Sequence, residues 1–200
     1  MENSKILTES QKSKLPGLAK RSGAGKSQNL IACLTIILFA VILRLIPHPP
    51  NVAPIAAMAL FGGAYLNKKY AIAVPIAALF ISDLVIGFHN GMPFVYGSFL
   101  LIGLIGLWLQ KRRNFNFILG ATLFSSLLFF IITNFGVWLV GDIYPQTIDG
   151  LIRCFYLAIP FFRNTVIGDL IFVGLFFGSF EVILKFSKAT LYGYLYKNRG

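Results

Sequence analysis

Six apolar runs separated by short polar connections dominate this 200-residue sequence and limit what it can fold into. Hydrophobic residues make up 56% of the chain and its mean hydropathy is +0.74, values too high for a soluble domain of this size. A helix crossing a hydrocarbon core about 30 Å thick needs about 20 residues. The sequence therefore predicts an all-α integral membrane bundle of six transmembrane helices. The runs cover roughly residues 30–47, 52–66, 71–87, 93–110, 115–140 and 165–184.

The Lys and Arg residues predict the orientation of such a bundle. The formal net charge is +11, yet the 18 basic residues lie mainly in flanks of the apolar runs, a placement typical of membrane topology and not of nucleic-acid binding. With the N-terminus in the cytoplasm, every basic residue except Arg44, Arg153 and Arg163 lies on the cytoplasmic side. The positive-inside rule therefore predicts that both termini are cytoplasmic.

The chain divides into a polar beginning and an apolar remainder. Residues 1–29, rich in Lys, Ser and Gly, predict a disordered basic cytoplasmic tail before a six-helix transmembrane domain over residues 30–200. Cys33 and Cys154 have no metal-ligand spacing, and a disulfide is not expected. The sequence contains no H-E-x-x-H or G-x-S-x-G motif. We therefore expect no catalytic residue, metal or cofactor, and a membrane-embedded enzyme is the least favoured function.

The connection between the fifth and sixth runs, residues 141–164, has a helical periodicity of its own. Asp149 and Arg153 lie off its apolar stripe, four residues apart, and can pair. The pattern predicts an amphipathic helix that ends at Pro160 and lies on the outer membrane face or caps the bundle; a plain interfacial anchor is the alternative. The stripe consists of Ile148, Leu151, Ile152, Phe155, Tyr156 and Ile159.

Three ionisable residues interrupt the apolar runs near their predicted outer ends. Arg44 lies in the first run, Asp83 in the third and Asp169 in the sixth. Such residues are costly inside a membrane and usually face a partner or a cavity. Counting helical turns from the predicted outer ends places all three in one layer. There, a carboxylate beside the arginine keeps its charge, whereas an unmatched one requires a proton or a ligand.

Further polar residues are expected in the same layer, and we predict that they line a pocket open to the outside. The alternative is an ion-pair cluster that only fixes helix register. At the opposite end of the bundle, Glu181 and Lys185 lie four residues apart and can form an ion pair on one helix, for which we expect no further role. The predicted ligand-binding residues are Arg44, His48, Asn51, Asp83, His89, Asn90, Tyr96, Asn134 and Asp169.

Residues 51–109 carry a longer pattern. An N-x-x-P start leads into a small-residue helix and a short basic turn, followed by a helix ending in S-D-L-x-x-G, an outer loop and a Gly-rich helix. In this pattern the chain resembles a family of bacterial multi-pass membrane proteins of uncharacterised function. More loosely, it resembles the S components of energy-coupling-factor vitamin transporters. The matching positions are Asn51, Pro54, Ser82, Asp83, Leu84 and Gly87.

The resemblance implies a six-helix bundle in the bacterial inner membrane that captures a vitamin-like molecule near its outer face. A partner membrane subunit and two ATPases would energise transfer, and the loops "PHPPN" (residues 47–51) and "GFHNG" (residues 87–91) would close over the substrate. The first run lacks the A-x-x-x-A patch that docks the partner in that family, and Ala59 and Gly63 offer a small-residue face instead. The leading predicted function is therefore a substrate-binding importer subunit. The alternative is a non-transport membrane scaffold with a similar bundle, of the cell-shape type.

Overall fold

The computed structural model of the protein describes residues 30–31, 33–35, 37–46, 52 and 54–197. The predicted tail, residues 1–29, and the predicted lid, residues 47–51, lie outside these residues. The described part is helical and contains no strand, as predicted. Its helices are α1 (residues 30–31, 33–35 and 37–45), α2 (Ile55–Tyr65), α3 (Lys68–Ala71), α4 (Ala73–Ile86), α5 (Met92–Leu109), α6 (Phe115–Val140) and α7 (Ile148–Lys197).

Three of these helices are long and apolar enough to cross a membrane. They are α5, α6 and the part of α7 from Ile148 to Phe186. The apolar helices α1, α2 and α4 are shorter, in the range of 10–17 residues, and fall below the length that a straight span requires. The structure thus supports a helical membrane protein with three spans of full length, where the sequence predicts six.

The small residues of the second and third runs predict that both are central in the bundle. The structure has α2 at the centre, whereas α4 keeps an exposed face. Residues 56–64 are all buried. A Cβ atom on Gly63 would lie 2.7 Å from the Cα of Gly106, so glycine at this position is what allows α5 to approach so closely. On the α7 side, the ring of Phe61 lies 5.4 Å from that of Phe180. Since Ala59 and Gly63 are buried inside the protein, their small-residue face is not free for a partner.

The predicted separation of an amphipathic helix from the sixth span is wrong. The structure instead has one 50-residue helix, α7, that continues through Pro160. Proline inside a helix removes a hydrogen bond and clashes with the preceding turn, at a cost of about 3 kcal/mol. Packing on both sides of the proline offsets this cost, because the ring of Phe130 lies 5.6 Å from that of Phe155 and 4.7 Å from that of Phe162.

Candidate functional site

Three helices meet at an ion pair between Arg44 of α1 and Asp83 of α4. The guanidinium Nη2 donates to Asp83 Oδ1 at 2.5 Å, and the side chains are 12% and 5% exposed. The second carboxylate oxygen accepts a hydrogen bond from the hydroxyl of Tyr96, on α5, at 2.8 Å. We call Arg44, Asp83 and Tyr96 the charged cluster. It brings together three of the predicted ligand-binding residues.

The other guanidinium nitrogen of Arg44 is held by the backbone and side chains of α4. Nη1 donates to the carbonyl of Leu79 at 3.2 Å and to the hydroxyl oxygen of Ser82. Leu79, Ser82 and Asp83 are spaced i, i+3 and i+4, so they form one buried face of α4, opposite exposed residues such as Val85. Ser82 was part of the sequence pattern but not of the predicted site, because a serine in an apolar helix carries no sign of its partner.

The end of α4 fixes the position of Asp83. The helix ends at Gly87, whose backbone has φ = 105°, a conformation that other residues rarely adopt. The Gly87 N–H donates to the Asp83 carbonyl at 2.8 Å. Asp83 therefore lies in the last turn of α4, immediately before the loop of residues 87–91.

The charged cluster combines a high cost of burial with several hydrogen bonds that offset it. Each Asp83 oxygen has a donor, and both terminal nitrogens of Arg44 have an acceptor. A buried pair of this kind gains little stability over apolar residues, but removing one partner is expensive, at about 3–5 kcal/mol. A solute could enter the cluster only by exchanging hydrogen bonds with these side chains.

Asp169 of α7 is buried away from the charged cluster. Its Oδ2 accepts a hydrogen bond from Ser126 of α6 at 2.6 Å, and within the described residues it has no ion pair. The neighbouring Ser125 hydroxyl is also buried, and no described residue forms a hydrogen bond with it. Asp169 is thus a buried carboxylate for which the structure describes one hydrogen-bond donor.

The two carboxylates lie in different layers, whereas the sequence predicts one. Tyr96 on α5, which binds Asp83, lies at the same height along the bundle as residues near 132 on α6. Ser126, which binds Asp169, comes about six residues earlier on α6, a rise of about 9 Å. The register of the two helices is given by the ring contacts Phe94–Phe135 and Phe99–Phe129, at 6.4 and 5.6 Å.

Among the described residues, no hydrogen bond joins the charged cluster to the remaining predicted site residues. The Asn134 amide donates to the Phe130 carbonyl of its own helix at 2.8 Å. His89 and Asn90 are exposed in the loop between α4 and α5. His48 and Asn51 lie outside the described residues. The contact of these residues with a ligand stays a prediction.

A second polar group, at the opposite end of the bundle, was not predicted. The Tyr65 hydroxyl donates to Glu181 at 2.8 Å, and the Arg113 guanidinium lies 4.6 Å from the centre of the Tyr65 ring. Gln110 donates to the carbonyls of Gly63 and Leu66, both at 2.9 Å, which ties the end of α5 to α2. Glu181 therefore bonds to another helix and not to Lys185. Asp149 and Arg153 do pair as predicted, at 3.1 Å, and both are exposed.

Comparison with known proteins places the chain in a family without assigning an activity. No curated protein and no solved structure matches the sequence. One family profile matches residues 25–191, a region that includes the charged cluster, Asp169 and the three stretches long and apolar enough to cross a membrane. The chain therefore belongs to the DUF6580 family, a family of unknown function.

Proposed function

We propose that this protein binds a small molecule near one end of its bundle and is the substrate-binding membrane subunit of a vitamin-type importer. The observation that carries the proposal is the charged cluster, a buried ion pair completed by a tyrosine among apolar helices. Ionisable side chains are expensive in a membrane and commonly mark the path or site of a polar solute. Apolar residues would hold three helices together at lower cost.

The side chains of the charged cluster limit the chemistry of the solute. A guanidinium binds a carboxylate or phosphate through two parallel hydrogen bonds. The Asp83 carboxylate accepts from amine or amide N–H groups, and the Tyr96 hydroxyl can donate or accept. A small solute with an anionic group and an N–H donor would replace the bond between Arg44 and Asp83. Its anionic group would bind Arg44 and its N–H group would bind Asp83, so each charge would keep a partner.

Two segments that follow members of the charged cluster in the sequence could cover a bound solute. Residues 47–51 begin three positions after Arg44 in the sequence, and residues 87–91 follow Asp83 at the end of α4. Prolines at positions 47, 49 and 50 lower the entropy that is lost when a loop closes. In this proposal His48, Asn51, His89 and Asn90 contact the solute from its exposed side.

The proposal places the protein in the bacterial inner membrane as a six-span protein with cytoplasmic termini. The short helices α1, α2 and α4 would then leave non-helical backbone at membrane depth, which is tolerated where it borders a cavity or other protein. We expect Lys68 and Lys111 to react with a membrane-impermeant amine reagent only from the cytoplasmic face. Cysteines introduced at Asn90 and Gln146 should react with a maleimide only from outside. The opposite pattern at any of these sites would contradict the topology.

Identification of a bound molecule tests the function. Wild-type protein purified in mild detergent should release one defined small molecule, detected by mass spectrometry after denaturation. Asp83→Asn should retain less of it, because the amide cannot provide the charge that balances Arg44. Asp149→Asn is the matched control, since it makes the same substitution in an exposed pair. Folding of each variant is checked by thermal unfolding. A wild-type protein without a bound molecule, or equal retention by the folded Asp83→Asn variant, would contradict the proposal.

A non-transport membrane scaffold is supported by a different observation. Both Asp83 oxygens already have donors, and the contact of α2 with α5 is as close as glycine permits. A bundle packed in this way can serve as a rigid platform for other membrane proteins, as in scaffolds of the cell-shape type. This function predicts that no small molecule is retained and that a protein partner is cross-linked in cells.

A further inference from the structure

An apolar groove runs along the outside of α5 and α6, away from the charged cluster. Its volume is about 650 Å³, and its wall includes Leu104, Trp108, Phe117, Gly120 and Phe124. The side chains of Leu104, Trp108 and Phe124 are about half exposed, so in a bilayer this surface would face lipid chains. None of the predicted ligand-binding residues lines the groove.

The groove ends at the basic connection between α5 and α6, which contains Lys111, Arg112 and Arg113. The guanidinium carbon of Arg112 lies 5.4 Å from the centre of the Trp108 ring and 5.5 Å from that of Phe117. Both rings belong to the groove wall, so the aromatic contacts hold this cation at the rim. Lys111 and Arg112 are exposed, and neither has a carboxylate partner in the described part of the chain.

We propose that this groove is a binding site for a phospholipid with an anionic headgroup. An acyl chain fits the chemistry of the apolar wall, and the phosphate lies beside Lys111 and Arg112. Lys111 and Arg112 have no carboxylate partner among the described residues, and they stand at one end of an apolar groove. This combination favours a phospholipid, because such a lipid supplies an apolar chain and an anion in one molecule. Basic sites between helices recognise anionic lipid headgroups for the same electrostatic reason. This inference is independent of the proposed solute site.

Gly120 allows the groove to be filled without disturbing the fold. A Cβ atom built at this position meets no atom within 4 Å, and the residue is in the wall of the groove. Gly120→Leu should therefore fold and occupy the space of the acyl chain, while leucine also favours the helix more than glycine. Gly174→Leu is the matched control, since Gly174 is an exposed helical glycine with equally open surroundings on α7.

Native mass spectrometry of the full-length protein in detergent tests the proposal. Phosphatidylglycerol and phosphatidylcholine with identical acyl chains are added in turn, with glycerol 3-phosphate as a probe of the headgroup alone. We expect retention of phosphatidylglycerol in preference to phosphatidylcholine, and no retention of glycerol 3-phosphate. Gly120→Leu should lose this preference and Gly174→Leu should keep it.

Substitution of the basic residues at the rim of the groove is a second test of the proposal. Lys111→Gln and Arg112→Gln should each weaken phosphatidylglycerol binding by about fivefold, the factor that corresponds to one basic residue near an anionic lipid. Arg163→Gln, which removes an exposed cation elsewhere, should have no effect. Equal retention of the two lipids by the wild type, unchanged lipid preference in folded Gly120→Leu, or equally strong binding of glycerol 3-phosphate would overturn the proposal.

Discussion

Asp83 and Asp169 are both buried carboxylates on apolar helices, but their surroundings differ. Asp83 has an arginine on one oxygen and a tyrosine hydroxyl on the other, supplied by two different helices. Among the described residues, the partner of Asp169 is one serine hydroxyl. Helices α1, α4 and α5 thus meet around the first carboxylate, whereas the described bond of the second joins α6 and α7. A charge within an apolar run can therefore have quite different roles, which depend on the partners that the fold supplies.

The largest effect should follow from removal of the cation. Arg44→Ala leaves Asp83 buried without a balancing charge, so we expect the free energy of unfolding to fall by about 3–5 kcal/mol. Titration with a denaturing detergent, followed by circular dichroism, measures this loss. Arg153→Ala removes the same side chain from an exposed pair and should cost no more than about 1 kcal/mol. Equal effects of the two substitutions would show that the charged cluster is not buried as described.

The same substitution at the two carboxylates compares them directly. Asp83→Asn removes the charge that balances Arg44 and weakens a charge-assisted hydrogen bond, so we expect a loss of about 2–3 kcal/mol. Asp169→Asn keeps an oxygen that can accept from Ser126, so its effect should stay within about 1 kcal/mol. Both values come from the same detergent titration. A larger loss at Asp169 than at Asp83 would reverse the comparison.

The smallest effect should be a slight gain of stability at Ser125. Its hydroxyl is buried and has no hydrogen-bond partner in the part of the chain that the structure describes, and such a group costs about 1–3 kcal/mol of desolvation. Ser125→Ala removes this cost but leaves a small void, so we expect an increase of up to about 1 kcal/mol in unfolding free energy. Ser126→Ala, which removes the only hydrogen bond of Asp169 that the structure describes, should be destabilising. If Ser125→Ala proves the more destabilising of the two, the Ser125 hydroxyl has a partner in the membrane.

Helix positions could be predicted from the sequence because apolar runs are bounded by residues that end helices. The run at 115–140 coincides with α6, and the run at 71–87 contains α4, which ends at Gly87. Pro160 led to a wrong prediction because the sequence shows a helix-breaking residue but does not show the packing around it. The contact of Phe130 with Phe162 forms only in the folded protein, where α7 continues through Pro160.

That error also explains the misplaced layer. With the sixth span taken to start near residue 165, Asp169 lay close to its outer end. In the structure α7 begins at Ile148, so Asp169 lies about 30 Å along the helix. The pairing of Arg44 with Asp83 could be predicted from two opposite charges near the same ends of neighbouring runs. Ser126 could not be identified as a partner, because a serine in an apolar helix bonds equally well to its own backbone.

Replacement of the ion pair by apolar residues tests most directly whether the charged cluster is a binding site. In the double variant Arg44→Met and Asp83→Leu no charge is left unpaired, so it should fold with a stability close to that of the wild type. Our account predicts that wild-type protein releases a bound small molecule on denaturation and that this equally stable variant releases none. Release of the same molecule, in the same amount, from the folded double variant would contradict the account and leave the charged cluster with a structural role alone.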